Sequence, residues 1–382
     1  MLSVLQVTPE LNAGGVEQTT IEMAEAISRA GGLALVASAG GRLEPDLEAA
    51  GGELVKLPVD SKNPIDVWLN VGRLARLAQA RGVRLIHARS RAPGWSALWA
   101  ARRLRLPFVT TYHGIYNAKT AAKRLYNSVM AKGDIVIANS EYTRSFILHE
   151  YDIGADRVVA IPRGVDLERF DPASIDAVKV AHIRASWGLG PGDKRLVVIL
   201  AGRLTRWKGQ TVLIDAVARL EAKRPGLLKV VLAGDPQGRR GYMQELAGQI
   251  LRNGLRDVVS IVGHLGQMQI AFAASDIAVF PSVEPEAFGR GAVEAQAMGL
   301  PVIAANHGGL AETVVDGETG VLTPPADAEA LALALERMID MGAEARAAMG
   351  AKGAARVRSL YTKAALQAAT LKVYDRLLGA NG

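Results

Sequence analysis

Two carboxylates eight positions apart, Glu286 and Glu294, are the residues of this sequence best placed to hold a ligand. Pro281 and Pro285 keep the segment around the first acid out of a helix. Apolar residues then recur at helical spacing over 288–298, where a helix is predicted. Helical geometry places Glu294 about 10 Å along the axis from the start of that helix. The two acids could therefore grip two ends of an extended ligand, but they are too far apart to share one proton.

An anion could bind between these acids, because the first N–H groups of a helix, here near residues 287–290, attract negative charge. A carboxylate, an anion site and a second carboxylate would suit the hydroxyls, phosphates and ribose of a nucleotide sugar. On spacing alone a plainer interpretation is favoured, in which Glu286 caps the helix and Glu294 is a solvated helix residue.

A second group of chemical interest follows a predicted strand at 196–201. Arg203 and Lys208 lie five residues apart across a turn, and Gly202 and Gly209 leave space around them. Two cations at this spacing could converge on one diphosphate. The alternative is a solvated basic turn.

Two glycines, Gly14 and Gly15, lie between the first predicted strand and the helix that follows it. Backbone N–H groups at such a turn can approach a phosphate, although most Gly-Gly pairs are only tight turns. The segment is neither a G-x-G-x-x-G fingerprint nor a P-loop, which argues against a dehydrogenase and a kinase.

His113 ends a predicted strand and precedes Gly114. At the carboxyl end of a strand, an imidazole could donate a hydrogen bond to a sugar hydroxyl or balance charge. A lone histidine is more often a core or surface residue, and His87, also at a strand end, is assigned that structural role.

The net charge of +7 is unevenly distributed, because no Asp or Glu occurs over residues 67–133. A basic surface of this kind attracts a phosphorylated glycan or an anionic membrane, although it could also serve solubility. Sparse aromatic residues and the lack of a known module argue against nucleic acid. The candidate acceptor-binding residues in this region are Arg89, Arg91, Lys119, Lys123 and Arg124.

Length and composition predict a two-domain globular protein of 382 residues. No apolar run is long enough to span a bilayer, and no signal peptide is visible. The absence of cysteine fits the cytoplasm, and peripheral contact with an anionic inner membrane is compatible with it. No D-x-D motif or metal-ligand spacing occurs, so no metal and no cofactor are expected. The absence of G-x-S-x-G leaves a hydrolase unsupported.

Short apolar runs alternate with helical patterns, which predicts an α/β fold with parallel sheets. Residues 1–170 are predicted to form the first domain, 171–193 a linker and 194–362 the second domain. A terminal helix, within 363–382, is expected to pack back on the first domain. The predicted strands lie near 3–7, 33–37, 53–57, 83–87, 108–111, 135–138, 158–161, 196–201, 229–233, 259–262, 277–280, 302–304 and 320–322.

Taken in order, these motifs resemble those of family 4 retaining glycosyltransferases. The Glu286-x7-Glu294 pair with Phe288 and Gly289 is similar to the family's E-x7-E signature, and Arg203 and Lys208 match its G-R-L-x-x-x-K-G pattern. The Gly14-Gly15 turn and the segment around His113 also have counterparts at the same places in the chain. The resemblance covers nearly the whole sequence and implies a GT-B fold, with two Rossmann-like domains facing each other across a cleft.

The resemblance also implies roles for individual residues. Arg203, Lys208 and the Gly14-Gly15 turn would bind the donor diphosphate, and Glu294 the ribose. Glu286 and His113 would contact the transferred sugar, and Leu265 the nucleotide base. Residues at the E-x7-E helix, Phe288, Gly289 and Arg290, would complete the donor site.

Two residues depart from the family pattern. Arg163 replaces the Asn of a P-N-G-V-D segment, and Arg290 lies where many members have an aliphatic residue.

The function that this resemblance implies is metal-independent, retaining transfer of a hexose from a nucleoside-diphosphate sugar. The acceptor would be a glycan or a lipid-linked molecule, for example in the synthesis of lipopolysaccharide or another envelope polysaccharide. A phosphorylase or an epimerase of GT-B fold and a non-catalytic nucleotide-sugar-binding protein remain alternatives.

Overall fold

The computed structural model describes residues 1–12, 14–116, 118 and 120–379. Two parallel sheets carry the fold, with helices in the connections between successive strands. The strands are β1 (Ser3–Val7), β2 (Leu33–Ser38), β3 (Glu53–Lys56), β4 (Leu85–Ala88), β5 (Phe108–Tyr112), β6 (Ile135–Ala138), β7 (Val158–Ala160), β8 (Leu196–Ala201), β9 (Leu228–Ala233), β10 (Val259–Gly263), β11 (Ile277–Phe280), β12 (Val302–Ala305) and β13 (Gly320–Thr323). The helices are α1 (Gly15–Arg29), α2 (Glu44–Ala49), α3 (Pro64–Ala80), α4 (Arg91–Leu104), α5 (Ala121–Ser128), α6 (Glu141–Glu150), α7 (Ala177–Ser186), α8 (Gln210–Lys223), α9 (Arg240–Arg252), α10 (Met268–Ala273), α11 (Arg290–Ala297), α12 (Leu310–Thr313), α13 (Ala328–Asp340), α14 (Gly342–Leu360) and α15 (Lys363–Gly379).

The α/β prediction is confirmed, and each predicted strand occurs with ends shifted by at most one or two residues. Strands such as β1 and β11 are buried along their whole length, which produces the short, continuous apolar runs that identify them in the sequence. No helix in the described part of the chain is both long and apolar enough to cross a membrane.

The first sheet has the order β3-β2-β1-β4-β5-β6-β7, and its strand pairs are parallel. The order reverses between β1 and β4, because the chain leaves one edge at β3 and returns to the centre. In open α/β sheets, ligands bind beyond the carboxyl ends of the strands at such a switch point. The segments that follow β1, β4 and β5 are therefore the ones best placed to bind a ligand.

The second sheet repeats this arrangement in the order β10-β9-β8-β11-β12-β13. Its switch point lies between β8 and β11, which pair in parallel through Ile277 with Val198 and Ala278 with Ile199. The segments that follow these two strands therefore begin side by side.

The chain divides into two compact units, residues 1–164 with 363–382, and residues 165–362. Residues 171–193, predicted as a linker, therefore belong to the second unit. Trp187 and Leu189, just after α7, are each only 3% exposed and lie in the apolar core of that unit. The Gly and Pro residues in this segment form turns between packed parts of the chain, which is why composition alone suggested a linker.

Helix α15 lies in the first unit, where it contacts α1. Leu366, Val373 and Tyr374 are buried in the core that the helix shares with α1 and β1. Gln367 Nε2 donates a hydrogen bond of 2.7 Å to the carbonyl oxygen of Glu22. Apolar packing and a buried hydrogen bond thus attach the terminal helix to the first unit.

Candidate active site

The best-defined polar cluster of the second unit lies after the adjacent strands β8 and β11. Lys208 Nζ is 2.7 Å from Glu286 Oε1, and the two side chains are 14% and 9% exposed. Ser282 Oγ donates a hydrogen bond of 2.5 Å to the same carboxylate oxygen. Residues 78 positions apart in sequence thus form a buried ion pair, because their strands are neighbours at the switch point.

The cations around Glu286 determine its charge state. Burial raises the pKa of this carboxyl, but Lys208, the hydroxyl of Ser282 and the charge of Arg203 together outweigh that effect, so the pKa lies below its ordinary value. Glu286 is therefore a carboxylate at neutral pH. A charged group of this kind can accept hydrogen bonds or stabilise positive charge, but it has no proton to donate.

Arg203 and Lys208 flank Trp207, with the guanidinium carbon 5.6 Å and the ammonium nitrogen 4.6 Å from the centre of the indole ring. The aromatic ring therefore lies within cation–π distance of both charges. A side chain at Gly202 would come within 3.5 Å of Lys208 Cε, so the lysine stem passes over this glycine. The predicted pair of cations is thus brought together beside Glu286.

Close backbone packing holds the segments after β8 and β11 against each other. Gly209 has φ 75°, and a Cβ there would lie 1.9 Å from the carbonyl oxygen of Pro281. The backbone N–H of Val283 donates a hydrogen bond to the carbonyl oxygen of Trp207. Only glycine at position 209 permits both the positive φ and this close approach.

The second acid of the predicted pair, Glu294, is bonded to Arg290, whose Nε lies 2.8 Å from Glu294 Oε1. The two side chains are 19% and 16% exposed. Arg290, which departs from the family pattern, therefore neutralises the carboxylate that the resemblance assigns to the ribose.

Helix α11 begins at Arg290, so the prediction of a helix from residue 288 is wrong by two positions. Gly289 is its N-cap with φ 87°, a conformation that ends the preceding loop and that apolar periodicity does not detect. Glu294 consequently lies about 6 Å along the axis from the helix start, rather than 10 Å.

Two other predicted donor-site residues have mainly packing contacts. Phe288 is 4% exposed, and its ring lies edge-on to Tyr361 with centroids 5.5 Å apart. Leu265, which follows β10, is partly buried against the same apolar core. The ring of Phe288 thus packs inside the unit, and its predicted place in the donor site stays a prediction.

In the first unit, Gly14 and Gly15 lie where α1 begins after β1. Gly14 is the N-cap with φ 142°, a conformation that disfavours other residues. The turn opens the helix directly, as the sequence predicts.

His113 follows β5, and its Nδ1 is 2.8 Å from Nη2 of Arg163, which lies beyond β7. Burial, then Arg163 and then Arg89 lower the pKa of His113 well below its ordinary value, so the imidazole is neutral at neutral pH. Its Nε2 is buried and has no hydrogen-bond partner among the residues that the structure describes.

The predicted role of Arg89 in binding an acceptor at the surface does not fit its position. The side chain is 1% exposed; its Nε lies 3.0 Å from Gln6 Oε1, and its Nη1 3.4 Å from Thr111 Oγ1. Arg89 directly follows β4, so its side chain is turned into the buried layer beside the sheet. This orientation depends on strand ends, which the sequence defines only to within a residue or two.

His87 is buried at the end of β4, where its Nδ1 and Nε2 each lie 2.7 Å from a hydroxyl, of Tyr374 and Thr111 respectively. Burial, followed by Arg89 and His113, lowers the pKa of His87 well below its ordinary value. A neutral histidine with two hydroxyl partners fits the structural role assigned to it.

The remaining predicted acceptor residues lie on or near α4 and α5. Arg91 begins α4, donates to Asn127 Oδ1 at 2.9 Å and lies over the ring of Tyr116 at 4.1 Å. Lys123 and Arg124 are exposed on α5. Lys119 lies outside the described residues.

No group of three or more His, Asp and Glu side chains that could hold a metal ion occurs in the described ranges.

Sequence reasoning missed Ser282 and the contacts of Arg163 at His113. The departure of Arg163 from the family pattern was the only signal for the second, and nothing local in the sequence marks Ser282.

Comparison with known proteins identifies two matching families along the chain. Residues 13–169 match the sequence model described as Glycosyltransferase Family 4. Residues 184–356 match the one described as Glycosyl transferases group 1. The first match includes His113 and Arg163, and the second includes Arg203, Lys208 and Glu286.

A relative and two solved structures resemble the chain over most of its length. D-inositol 3-phosphate glycosyltransferase 2 from Catenulispora acidiphila is 33% identical over 313 residues, which are 76% of this chain and 70% of that protein. A glycosyltransferase from Rickettsia africae gives a TM-score of 0.90 at 31% identity and covers 99% of this chain and 98% of its own. HepE from Anabaena, solved in complex with UDP-glucose, gives a TM-score of 0.86 at 25% identity, with coverage of 98% and 100%.

Proposed function

The chain belongs to glycosyltransferase family 4, and on that premise we propose that it transfers a hexose from a nucleoside-diphosphate sugar to an anionic glycan or lipid-linked acceptor. The fold prediction is confirmed, since the two parallel α/β sheets match glycosyltransferases of GT-B fold. The single observation that carries the proposal is the Arg203–Lys208–Glu286 cluster after β8 and β11.

Arg203 and Lys208 bind the donor diphosphate. Their basic side chains lie together against Trp207 in the loop that follows β8, at the switch point of a parallel sheet. Lys208 bonds to Glu286 through one direction of its ammonium group and retains two more donors for phosphate oxygens.

Glu286 and His113 bind the sugar, and Glu294 binds the ribose. Glu286 is held as a carboxylate, so it accepts hydrogen bonds from hydroxyls or stabilises positive charge at the anomeric carbon. Glu294 exchanges its contact with Arg290 for the ribose hydroxyls when the donor binds. Leu265 lies against the base.

We assign a retaining reaction to this site. An acceptor hydroxyl attacks the anomeric carbon from the side of the leaving group, while the bond from that carbon to the diphosphate oxygen breaks. The diphosphate leaves with the bonding electron pair, and the departing phosphate oxygen takes the acceptor proton. Arg203 and Lys208 stabilise the charge that develops on this leaving group, an electrostatic contribution that is usually the largest in catalysis. On this proposal the reaction needs no metal ion.

A thermal-shift panel with UDP, GDP, ADP and CMP, each with and without EDTA, tests the donor site. A ligand at about 100 times its Kd should stabilise the protein by roughly 2.7 kcal/mol. UDP is the first candidate, because HepE was solved with UDP-glucose. Arg203→Met should abolish the shift, whereas Arg219→Met, an exposed arginine on α8, should retain it. A folded protein that responds to none of the four nucleotides would contradict the proposal.

Incubation with the nucleotide sugar that responds then tests the reaction itself. Transfer with retained anomeric configuration in the presence of EDTA is the expected result. With inorganic phosphate added as the acceptor, formation of a sugar 1-phosphate with release of the nucleoside diphosphate would favour a phosphorylase. An epimerised donor would favour an epimerase. Tight donor binding without any turnover would favour a binding protein.

The acceptor class is proposed from the surface of the first unit. Exposed apolar side chains occur on three successive helices, Trp68 and Ile65 on α3, Trp99 on α4 and Leu125 on α5. Ser96 Oγ donates to the carbonyl oxygen of Val67, and Trp95 Nε1 to that of Tyr126, so α4 contacts both of the other helices. The same helices carry exposed cations, Arg76, Arg103, Lys123 and Arg124.

Aromatic side chains combined with cations favour the surface of an anionic bilayer, where apolar groups enter the interface and cations meet the head groups. A lipid-linked acceptor in such a bilayer would be presented to this unit. The relative from Catenulispora acidiphila is named for inositol 3-phosphate, which is also anionic. Lipopolysaccharide or another envelope polysaccharide remains the predicted product class.

Sedimentation with vesicles tests this surface. We expect binding to mixed phosphatidylglycerol and phosphatidylcholine vesicles, weakened by salt, and little binding to phosphatidylcholine alone. Trp68→Ala should weaken partitioning about tenfold, because a buried aromatic side chain contributes roughly 1.5–3 kcal/mol. Leu251→Ala, which removes an exposed apolar residue of the second unit, is the matched control. Equal binding of the two variants would refute the assignment.

A further inference from the structure

Arg163 controls the hydrogen bonding of His113. Its side chain is 9% exposed, and Nη2 lies 2.8 Å from His113 Nδ1 and 3.5 Å from the carbonyl oxygen of the same residue. A guanidinium has N–H donors and no acceptor, so Nδ1 must be the acceptor in this bond. The proton of the neutral imidazole is therefore on Nε2.

The same guanidinium lies directly against the turn that starts α1. A Cβ added to Gly15 would lie 1.6 Å from Arg163 Nη1, so the space a side chain would occupy is filled by the arginine. Because Gly15 has no side chain, the Arg163 guanidinium fits between the turn and the imidazole of His113. An alanine at position 15 would have to displace the guanidinium.

The fixed tautomer leaves a buried donor. His113 Nε2–H has no acceptor among the residues that the structure describes, and a buried N–H without a partner costs about 1–3 kcal/mol. An unpaired buried donor of this kind is explained if a bound ligand supplies the acceptor that the free protein lacks. A hydroxyl oxygen of the donor sugar fits, because it accepts a hydrogen bond while remaining neutral.

We propose that Arg163 is a positioning residue for the transfer reaction, which holds His113 as an Nε2–H donor aimed at an oxygen of the donor sugar. This inference rests on the proposed function and adds to it the residue that orients the histidine. An asparagine, the residue of the family pattern at position 163, is too short to fill the space against Gly15. The arrangement is therefore a property of this chain.

The first measurement is the tautomer of His113 by ¹⁵N NMR of histidine side chains, assigned with His113→Gln. We expect a neutral ring with the proton on Nε2 at pH 7.5 in the free protein. An Nδ1–H tautomer or an imidazolium would overturn the proposal, and this result requires no variant of Arg163 to fold. Arg163→Met should give a mixture of tautomers, whereas Arg29→Met, an exposed arginine on α1, should leave the signal unchanged.

Kinetics with the donor tests the consequence for transfer. Arg163→Met should lower kcat by about 10- to 100-fold, the range expected for a misplaced group, with a much smaller change in the donor KM. Arg163→Lys keeps a donor for Nδ1 and should recover part of the rate. In Arg163→Met the acid limb of the kcat profile should move to higher pH, because one cation that lowers the pKa of His113 is removed while Arg89 and the buried setting remain.

A double-mutant comparison separates positioning from an independent contact with the substrate. If Arg163 acts through His113, Arg163→Met should cost little more in a His113→Ala background. If kcat of the double variant is reduced by the product of the two single-variant factors, the two residues act independently and the proposal is overturned. Failure of the proposed function would appear differently, as a wild-type protein with the expected tautomer but neither nucleotide binding nor transfer.

Discussion

The ion pair between Lys208 and Glu286 affects the stability of the protein because both charges are buried. Both charges are largely removed from water, and their contact at 2.7 Å is supplemented by the hydroxyl of Ser282. Burial of an ion pair costs about as much as the attraction returns, so the pair contributes little net stability when it is intact. Removing one partner is expensive, because the other charge is then left buried.

We therefore expect Lys208→Met to lower the free energy of unfolding by about 3 kcal/mol at pH 7, measured by urea denaturation. The pKa of Glu286 lies below its ordinary value of 4.5 in the folded protein, so folding favours the ionised carboxylate over the protonated one. This preference is fully present above the ordinary pKa and is lost as pH falls through the folded pKa. The difference between wild type and variant should accordingly shrink in acid. A difference that stays constant between pH 7 and pH 3 would show that lost packing of the lysine stem, rather than charge, causes the effect.

Glu294 tests a different property, because it is paired with Arg290 one turn earlier on α11, with side chains only 16% and 19% exposed. Removing the carboxylate takes this partner from a largely buried guanidinium, so Glu294→Ala should lower the free energy of unfolding by about 1–3 kcal/mol. It should also weaken nucleotide binding at least about tenfold, the loss of roughly 1.4 kcal/mol of hydrogen bonding to the ribose. Isothermal titration calorimetry measures this affinity, with the nucleoside diphosphate that stabilises the protein in the thermal-shift panel. Unchanged affinity would remove Glu294 from the donor site.

At the scale of elements, the loop after β8 keeps its shape through one glycine. Gly209 has φ 75° and meets the carbonyl oxygen of Pro281, whereas Gly226 has φ 78° and no heavy atom within 4 Å of the place where a Cβ would lie. Gly226→Ala should cost about 1–2 kcal/mol, the penalty of a left-handed conformation. Gly209→Ala should cost clearly more and should also reduce the nucleotide-induced thermal shift, because the loops after β8 and β11 separate. If both substitutions lower the free energy of unfolding by the same amount, the close contact between Gly209 and the Pro281 carbonyl oxygen does not contribute to stability.

The elements themselves are largely predictable, and the reasons are local. Buried parallel strands appear as apolar runs, so β1, β6 and β11 occur where the sequence places them. Helix α11 begins two residues late because Gly289 adopts φ 87° as its N-cap, at a place where a Cβ would lie 2.5 Å from Leu310 Cδ2. The burial of the Arg89 and Phe288 side chains results from contacts with residues that are distant in sequence, such as Gln6 and Tyr361. Local sequence patterns therefore do not predict it.

For the whole molecule, sequence patterns predicted two α/β domains with a linker at residues 171–193, whereas the second compact unit begins at residue 165. The predicted linker carries several glycines and prolines, yet Trp187 within it is buried in the second unit. The pairing of Lys208 with Glu286 could be anticipated only through sheet order, since β8 and β11 are neighbours although β9 and β10 intervene in sequence. Long-range strand order, rather than local pattern, is thus what assembles the candidate site.

Helix α15 provides the test at this scale, because it lies at the end of the sequence but within the first unit. Tyr374 is fully buried, and its hydroxyl lies 2.7 Å from His87 Nδ1. Removing residues 363–382 should raise hydrogen exchange in β1 and α1, because several buried apolar side chains that each contribute roughly 1.5–3 kcal/mol are lost. Strands β8 and β9, which belong to the other unit, should keep their protection.

Two point variants refine this test of α15. Tyr374→Phe should lower the stability of the first unit by about 1–3 kcal/mol, since a buried imidazole nitrogen loses its partner. Asp375→Ala, at an exposed position on the same helix, should have no measurable effect. Both are read by exchange mass spectrometry of β4 and α1. If exchange in these elements is the same in the truncated chain as in the wild type, the terminal helix is not part of the cooperative core of the first unit.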